Sequence, residues 1–199
     1  MEKGKNSPLQ FGGLLAFLAG FVIFMGIITG EIYYPEGYNT AVNDISDLGS
    51  TRPPNTIIHQ PSATIFNIAM LLAGLLLCIS NWPLYRHFRN LWFTIPFALF
   101  AIGVFGVGVF PVNIAPYHGI FSLLIFVMGS FTCILSFTIL KKPFAVVGIP
   151  IGVMSLIFLF GAPYFIPFWG SGGTERWVAY PIVIWLIGFG GYLMSNTKK

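Results

Sequence analysis

The sequence predicts an all-α integral membrane protein in which six transmembrane helices form one bundle. Hydrophobic residues make up 56% of the 199 residues and charged residues only 8%, whereas soluble domains carry about 25% charged residues. The apolar residues are collected in six segments of about 20 residues, which is the length that crosses a hydrocarbon core of roughly 30 Å as a helix. We therefore expect a single domain, residues 1–199, without a separate soluble part.

The apolar segments are continuous rather than alternating in polarity, which favours membrane-spanning helices over the strands of a barrel. The predicted helices are Phe11–Tyr33, Ser62–Leu84, Leu91–Val112, His118–Leu140, Phe144–Phe168 and Trp177–Ser195. Most of the connections between them are short, so consecutive helices are expected to pack as antiparallel neighbours.

Positive charges are concentrated at the chain termini and in alternate gaps between the segments. Eight of the ten Lys and Arg residues follow this pattern: Lys3, Lys5, Arg86, Arg89, Lys141, Lys142, Lys198 and Lys199. The positive-inside rule then predicts a cell-membrane protein with both termini in the cytoplasm. The basic residues occur in pairs at helix ends and form no stripe, which suits contact with lipid headgroups and predicts no nucleic-acid partner.

The first outer connection, Tyr34 to Pro61, is the long exception at 28 residues. A loop of this length in a compact protein is usually functional or has structure of its own. We expect a short interfacial helix near Asn39 to Leu48, with Gly49 as its end.

Polar residues whose side chains could take part in catalysis or binding lie on this predicted outer side. Asp44, Asp47 and His118 are candidates for catalysis or for binding a divalent metal, because paired carboxylates and imidazole serve as metal ligands and as general acids and bases. The candidate ligand-binding residues are Ser46, Asp47, His59, Asn67, Asn113 and His118. The same residues could instead cap helices and hold a folded loop over the bundle, with Asp44 and Asp47 paired to Arg52 or Arg176.

Three separated motifs resemble the prokaryotic six-helix membrane family catalogued as domain of unknown function 998. They are Asn-Asp-Ile-Ser-Asp-Leu-Gly-Ser at 43–50, Ile-Phe-Asn at 65–67, and Gly-Val-Phe-Pro at 108–111 followed by His118-Gly119. The Ile-Ser-Asp element is also similar to one in a wider clan of DRAM-type, Sfk-type and GPI-lipid-remodelling proteins, although Leu48 stands where those relatives have Thr. By this resemblance the motif residues are Ser46, Asp47, Gly49, Phe66, Asn67, Pro111, His118 and Gly119.

The resemblance implies no assigned reaction, but the distant relatives point to lipids. We therefore expect membrane lipids as partners, bound at the outer leaflet through the Asp and His residues, with modification of that lipid as an open question. A small transporter or channel is an alternative, although few polar residues, such as Asn67 and Ser130, are available to line a path. A non-catalytic scaffold, whose outer loop docks an unidentified protein, is the third hypothesis.

Overall fold

Six helices account for most of the protein. A computed structural model describes residues 8–195, so Lys3, Lys5, Lys198 and Lys199, on which part of the predicted orientation rests, lie outside the described residues. The helices are α1 (Pro8–Ile32), α2 (Ser62–Phe88), α3 (Leu91–Val109), α4 (Tyr117–Leu135), α5 (Phe144–Phe160) and α6 (Ala162–Ser195). Five of them are long and apolar enough to cross a membrane, and α5 is a shorter apolar helix. The predicted all-α membrane bundle is confirmed.

The helices form a closed ring. Each helix packs against the next along the chain, and α1 packs against α6 to close the bundle. Large apolar side chains fill the interior, where Phe93, Phe97 and Phe189 are fully buried. The rings of Phe93 and Phe97 stack, and the Phe189 ring packs against both at a tilt. Small residues let the backbones approach, as expected in a membrane: a Cβ at Gly108 on α3 would lie 2.8 Å from the backbone nitrogen of Leu71 on α2.

The fifth and sixth helices divide at a different place from the one predicted. We predicted that the fifth helix continues to Phe168 and that the sixth begins at Trp177, but α5 ends at Phe160 and α6 begins at Ala162. Pro163 has no N–H to donate and favours the first turn of a new helix. The apolar run after it belongs to a separate helical piece, residues 162–169, that joins the rest of α6 at Gly170, whose φ of 74° lies in the left-handed region.

The predicted loop helix is also shorter than expected. Residues 40–43 form turns, and only Ile45–Leu48 is helical, as one turn of 3₁₀-helix. Gly49 follows it as the C-cap, as predicted. Asp44 and Asp47 close the turn reciprocally, which satisfies its first backbone donors without further residues.

We name the end of the bundle that carries residues 33–61, the α3–α4 connection and residues 161–171 the loop end. It is the end that the charge pattern predicts to be outside the cell. All of the polar chemistry described below lies there.

Candidate functional site

Arg176 holds the long loop against the bundle. Its side chain is nearly fully buried, and its guanidinium donates to the Thr40 and Asn43 carbonyl oxygens at 2.8 and 2.9 Å. The other terminal nitrogen donates to the Glu31 carboxylate at 2.7 Å and to the Tyr38 hydroxyl at 2.6 Å. Burial raises the pKa of the Tyr38 phenol well above its usual range, so this hydroxyl keeps its proton. The planar guanidinium has enough donors to join α1, the loop and α6 in one contact.

Two glycines bring α6 close enough for this contact. Cβ atoms at Gly170 and Gly172 would overlap the carbonyl oxygens of Ala41 and Asn43. The Gly173 N–H donates to the Ala41 carbonyl oxygen at 3.1 Å. The loop backbone therefore lies directly on the α6 backbone, with no room for a side chain between them.

The two loop carboxylates have different partners. Asp44 is buried, and its side chain accepts from Arg52 at 2.6 Å and from the Ser171 hydroxyl at 2.5 Å. Asp47 accepts the backbone N–H of Asp44 at 2.9 Å. Burial, and next the Asp44 carboxylate, raise the pKa of the Asp47 carboxyl above its ordinary value. Asp44 thus faces α6 and Arg52, whereas Asp47 closes the turn of the loop.

A cavity of about 680 Å³ lies beneath the loop. One part of its wall is polar and comes from the loop, α4 and α6: Asp44, Ser46, Arg52, His118, Ser122, Ser171, Thr174 and Glu175. The rest is apolar and includes Val112, Phe126, Leu159, Ile166 and Val178. A second chamber of about 60 Å³ has Ser46, His118, Ser122, Phe126 and Glu175 in its wall as well, and extends between apolar residues such as Ile27, Met70 and Phe100. A polar mouth therefore leads to an apolar interior.

His118 stands at this cavity with one ring nitrogen already used. Its Nδ1 lies 2.8 Å from the Phe110 carbonyl oxygen. Because a carbonyl oxygen only accepts hydrogen bonds, Nδ1 of the neutral ring carries the proton and Nε2 keeps a lone pair. The imidazole can thus accept a proton or a hydrogen bond from a molecule in the cavity.

Glu175 is a site residue that we did not predict. It lies on α6, where its carboxylate borders both chambers and accepts the backbone N–H of Ile45 from the loop. The side chain of the next residue, Arg176, instead contacts the loop backbone at Thr40. Glu175 was visible in the sequence as a carboxylate on the predicted outer side, but starting the sixth helix at Trp177 left it in the preceding connection.

A family comparison covers most of the chain. The model of DUF998, described as a protein of unknown function, matches residues 17–192. The chain belongs to the DUF998 family. The resemblance predicted from the three motifs is confirmed, whereas the more distant similarity to the DRAM-type clan stays a prediction. No curated protein and no solved structure matches the chain, so the site of this DUF998 member must be interpreted from its own residues.

The structure brings only some of the predicted site residues together. Asp44, Ser46 and His118 line the cavity. Ser50 and Asn113 bond each other, with the Asn113 N–H 3.0 Å from the Ser50 hydroxyl, and join the loop to the α3–α4 connection. The remaining predicted ligand-binding residues, Asp47, His59 and Asn67, are not in the cavity wall.

His59 and Asn67 have surroundings of their own. The His59 ring packs edge-on against Tyr34, with ring centroids 4.5 Å apart. The Asn67 side chain lies against Gly49, where a Cβ would come within 2.7 Å of its Oδ1. His59 thus contacts the start of the loop and Asn67 its middle, and neither residue is in the cavity wall.

The predicted metal ligands do not form a set. Among residues 8–195, no group of three or more His, Cys, Asp and Glu side chains is placed to hold a metal ion. Asp44 is engaged by Arg52 and Ser171, and Asp47 by the loop backbone. The divalent-metal hypothesis therefore stays a prediction, for which residues 8–195 offer no set of three or more such ligands.

Proposed function

We propose that this protein binds a membrane lipid in the loop-end cavity, with the headgroup against the polar wall and an acyl chain along the apolar wall. The observation that carries the proposal is the mixed wall of the cavity, in which Asp44, His118 and Glu175 lie towards the loop end and Phe126 and Val178 lie further along the same helices. Binding pockets for small molecules are mostly apolar, with a few convergent polar groups that fix orientation. A cavity with one polar side in a membrane bundle suits an amphiphile better than a wholly polar or wholly apolar ligand.

The size of the cavity agrees with this proposal. A volume of about 680 Å³ falls within the range of about 300–1,000 Å³ that is typical of ligand pockets. It is large enough for a headgroup and the first part of a chain, and the remaining chain would lie along the surface of the bundle. Exposed apolar residues are plentiful there, including Ile120 and Leu123 on α4.

A transporter is a weaker proposal for the same cavity. The deeper chamber is lined by Ile23, Ile27, Val104, Ile182 and other apolar residues. Beyond Ser46, His118, Ser122 and Glu175 at one part of this wall, an ion would lose its hydration without gaining further ligands, which is costly in a low-dielectric region. A lipid chain meets no such penalty.

The proposal also states which side of the membrane the headgroup site faces. The positive-inside rule places the loop end, and hence the headgroup, at the outer leaflet of the cell membrane. An impermeant thiol reagent applied to intact cells tests this orientation on Thr56→Cys, at an exposed loop position, in a chain with Cys78 and Cys133 replaced by serine. Labelling only after the cells are broken would overturn the proposed orientation.

Two glycine substitutions test lipid binding directly. Gly119 lines the cavity, and a Cβ built there has no heavy atom within 4 Å. Gly119→Leu should therefore occupy part of the cavity without displacing neighbouring side chains. Gly191 on α6 is equally free of contacts but is not in the wall of the cavity, which makes Gly191→Leu the matched control. The measurement is native mass spectrometry after gentle extraction and extended washing in detergent.

We expect a bound lipid on the parent and on Gly191→Leu, and its loss from Gly119→Leu with an unchanged thermal unfolding midpoint. A lipid retained equally by both variants would show that the cavity is not its site. A bare polypeptide mass for the washed parent would count against lipid binding and favour a scaffold whose loop docks a protein.

A further inference from the structure

The charges around the cavity do not balance. Two arginines at the loop end pair with two carboxylates: Arg52 with Asp44, and Arg176 with Glu31. Glu175 forms no ion pair within residues 8–195, and the one hydrogen bond that its side chain makes there is with the backbone N–H of Ile45. The carboxylate that borders both chambers therefore has free acceptor capacity and no counter-charge of its own.

The other free group in the same wall is also an acceptor. The Nδ1–H of His118 is used by the Phe110 carbonyl oxygen, which leaves the Nε2 lone pair. The Asp44 carboxylate is already engaged by Arg52 and Ser171. A ligand in this part of the cavity is met by an unpaired carboxylate and a neutral imidazole, both of which accept hydrogen bonds.

We propose that the bound lipid carries a primary ammonium group, which donates to Glu175 and to Nε2 of His118. This inference rests on the proposed lipid-binding function and names the headgroup. An ammonium supplies both the missing positive charge and several N–H donors, and charge-assisted hydrogen bonds are about twice as strong as neutral ones. Burial disfavours a charged carboxylate that has no partner, so an ammonium ligand would stabilise the ionised form of Glu175 and complete a pair that the protein alone leaves open.

Arg52 extends the argument to the rest of the headgroup. Its side chain is 71% exposed while it holds Asp44, and it belongs to the cavity wall together with Pro53. The guanidinium has more donors than one carboxylate uses. A phosphate of the same headgroup can therefore accept from Arg52 while the ammonium donates to Glu175, which matches the two opposite charges of a zwitterionic aminophospholipid.

The test is a competition between two lipids with identical acyl chains. Delipidated protein in detergent is given equal amounts of phosphatidylethanolamine and phosphatidylglycerol, and native mass spectrometry counts both the total bound lipid and the ratio of the two. The variant is Glu175→Gln, which removes the charge but keeps an oxygen that can accept the Ile45 N–H. The control is Glu36→Gln, which removes a carboxylate from an exposed position of the long loop, residues 33–61.

We expect the parent and Glu36→Gln to prefer phosphatidylethanolamine by about tenfold, the worth of one net charged hydrogen bond, and Glu175→Gln to lose that preference while still binding lipid. Equal binding of the two lipids by the parent, or a preference that survives in Glu175→Gln, would overturn the headgroup inference and leave lipid binding intact. If neither lipid binds the parent, the proposed function fails and this inference fails with it. Thermal unfolding midpoints measured alongside show whether each variant is folded.

Discussion

The two arginine–carboxylate pairs at the loop end predict very different consequences for the same substitution. The nitrogen–oxygen distances are nearly equal, 2.6 Å for Arg52–Asp44 and 2.7 Å for Arg176–Glu31. The exposed fractions of the two arginine side chains differ: 71% for Arg52 and only 10% for Arg176. Arg→Met at each position removes the charge and keeps most of the side-chain length, so the two variants compare a buried arginine with several hydrogen bonds to an exposed arginine with one.

The magnitude for Arg176→Met follows from what the substitution leaves behind. The Glu31 carboxylate, whose side chain is 24% exposed, loses its partner, and the carbonyl oxygens of Thr40 and Asn43 lose a donor. Breaking a buried ion pair on one side costs roughly 3–5 kcal/mol. Because Glu31 keeps some contact with solvent, we expect the lower end, about 3 kcal/mol in the free energy that opens the loop.

For Arg52→Met the expected cost is under about 1 kcal/mol, as for exposed pairs in general. Amide hydrogen exchange over residues 42–49 measures both, since this segment can open without unfolding the bundle. About 3 kcal/mol corresponds to roughly a hundredfold faster exchange in Arg176→Met, against less than about tenfold in Arg52→Met. Equal acceleration in the two variants, or protection that survives in Arg176→Met, would refute the assignment of Arg176 as the residue that holds the loop.

Two further predictions concern the same loop. Gly172→Ala places a methyl group against the Asn43 carbonyl oxygen, whereas a Cβ at Gly173 lies an ordinary 3.4 Å from that of Trp169, so limited proteolysis should cut the loop of Gly172→Ala much faster than that of the parent or of Gly173→Ala. Equal resistance of the two variants would contradict the close backbone contact. The raised pKa of Asp47 means that the folded loop binds this proton more tightly than the unfolded chain does. Its stabilisation is complete below the ordinary pKa of 3.8 and is lost as the pH rises through the raised value. The thermal midpoint of the parent should therefore fall relative to that of Asp47→Asn between about pH 4 and pH 7, and parallel pH profiles would rule this effect out.

The bundle was predictable because the membrane imposes a simple rule on the sequence. Each crossing needs about 20 apolar residues, and the first four of the six predicted helices occur within a few residues of their expected positions. The prediction failed where apolar residues were not used for crossing. The run from Pro163 to Trp169 is hydrophobic enough to extend a helix, but Gly161 ends α5 and Gly170 redirects the chain. A hydrophobicity pattern does not distinguish an apolar piece at the bundle end from one inside it.

That single boundary explains most of what was missed at the site. With a helix starting before Ser171, the residues Ser171, Thr174 and Glu175 are spaced i, i+3 and i+4 and share one face. His118 and Ser122 are four apart on α4 and share a face in the same way. Both faces line the cavity. Within the motif 43–50, the contact of Asp47 with the Asp44 N–H is local. The contact of Asp44 with Ser171 on α6 is long-range, and no local spacing reveals it.

The adjacent residues Glu175 and Arg176 link the position of the loop to the structure of the cavity. Arg176 fixes the loop through its backbone carbonyls and Glu31, while Glu175 accepts the Ile45 N–H from the same loop and borders the cavity. A ligand that binds only when the loop is in place stabilises the loop by the free energy of its binding. Conversely, any substitution that frees the loop moves Asp44, Ser46 and Arg52 away from the cavity and weakens binding in proportion to the fraction of molecules whose loop is open. Loss of lipid from a loop variant would therefore not identify a headgroup contact, whereas Gly119→Leu and Glu175→Gln change the cavity with the Arg176 contact intact.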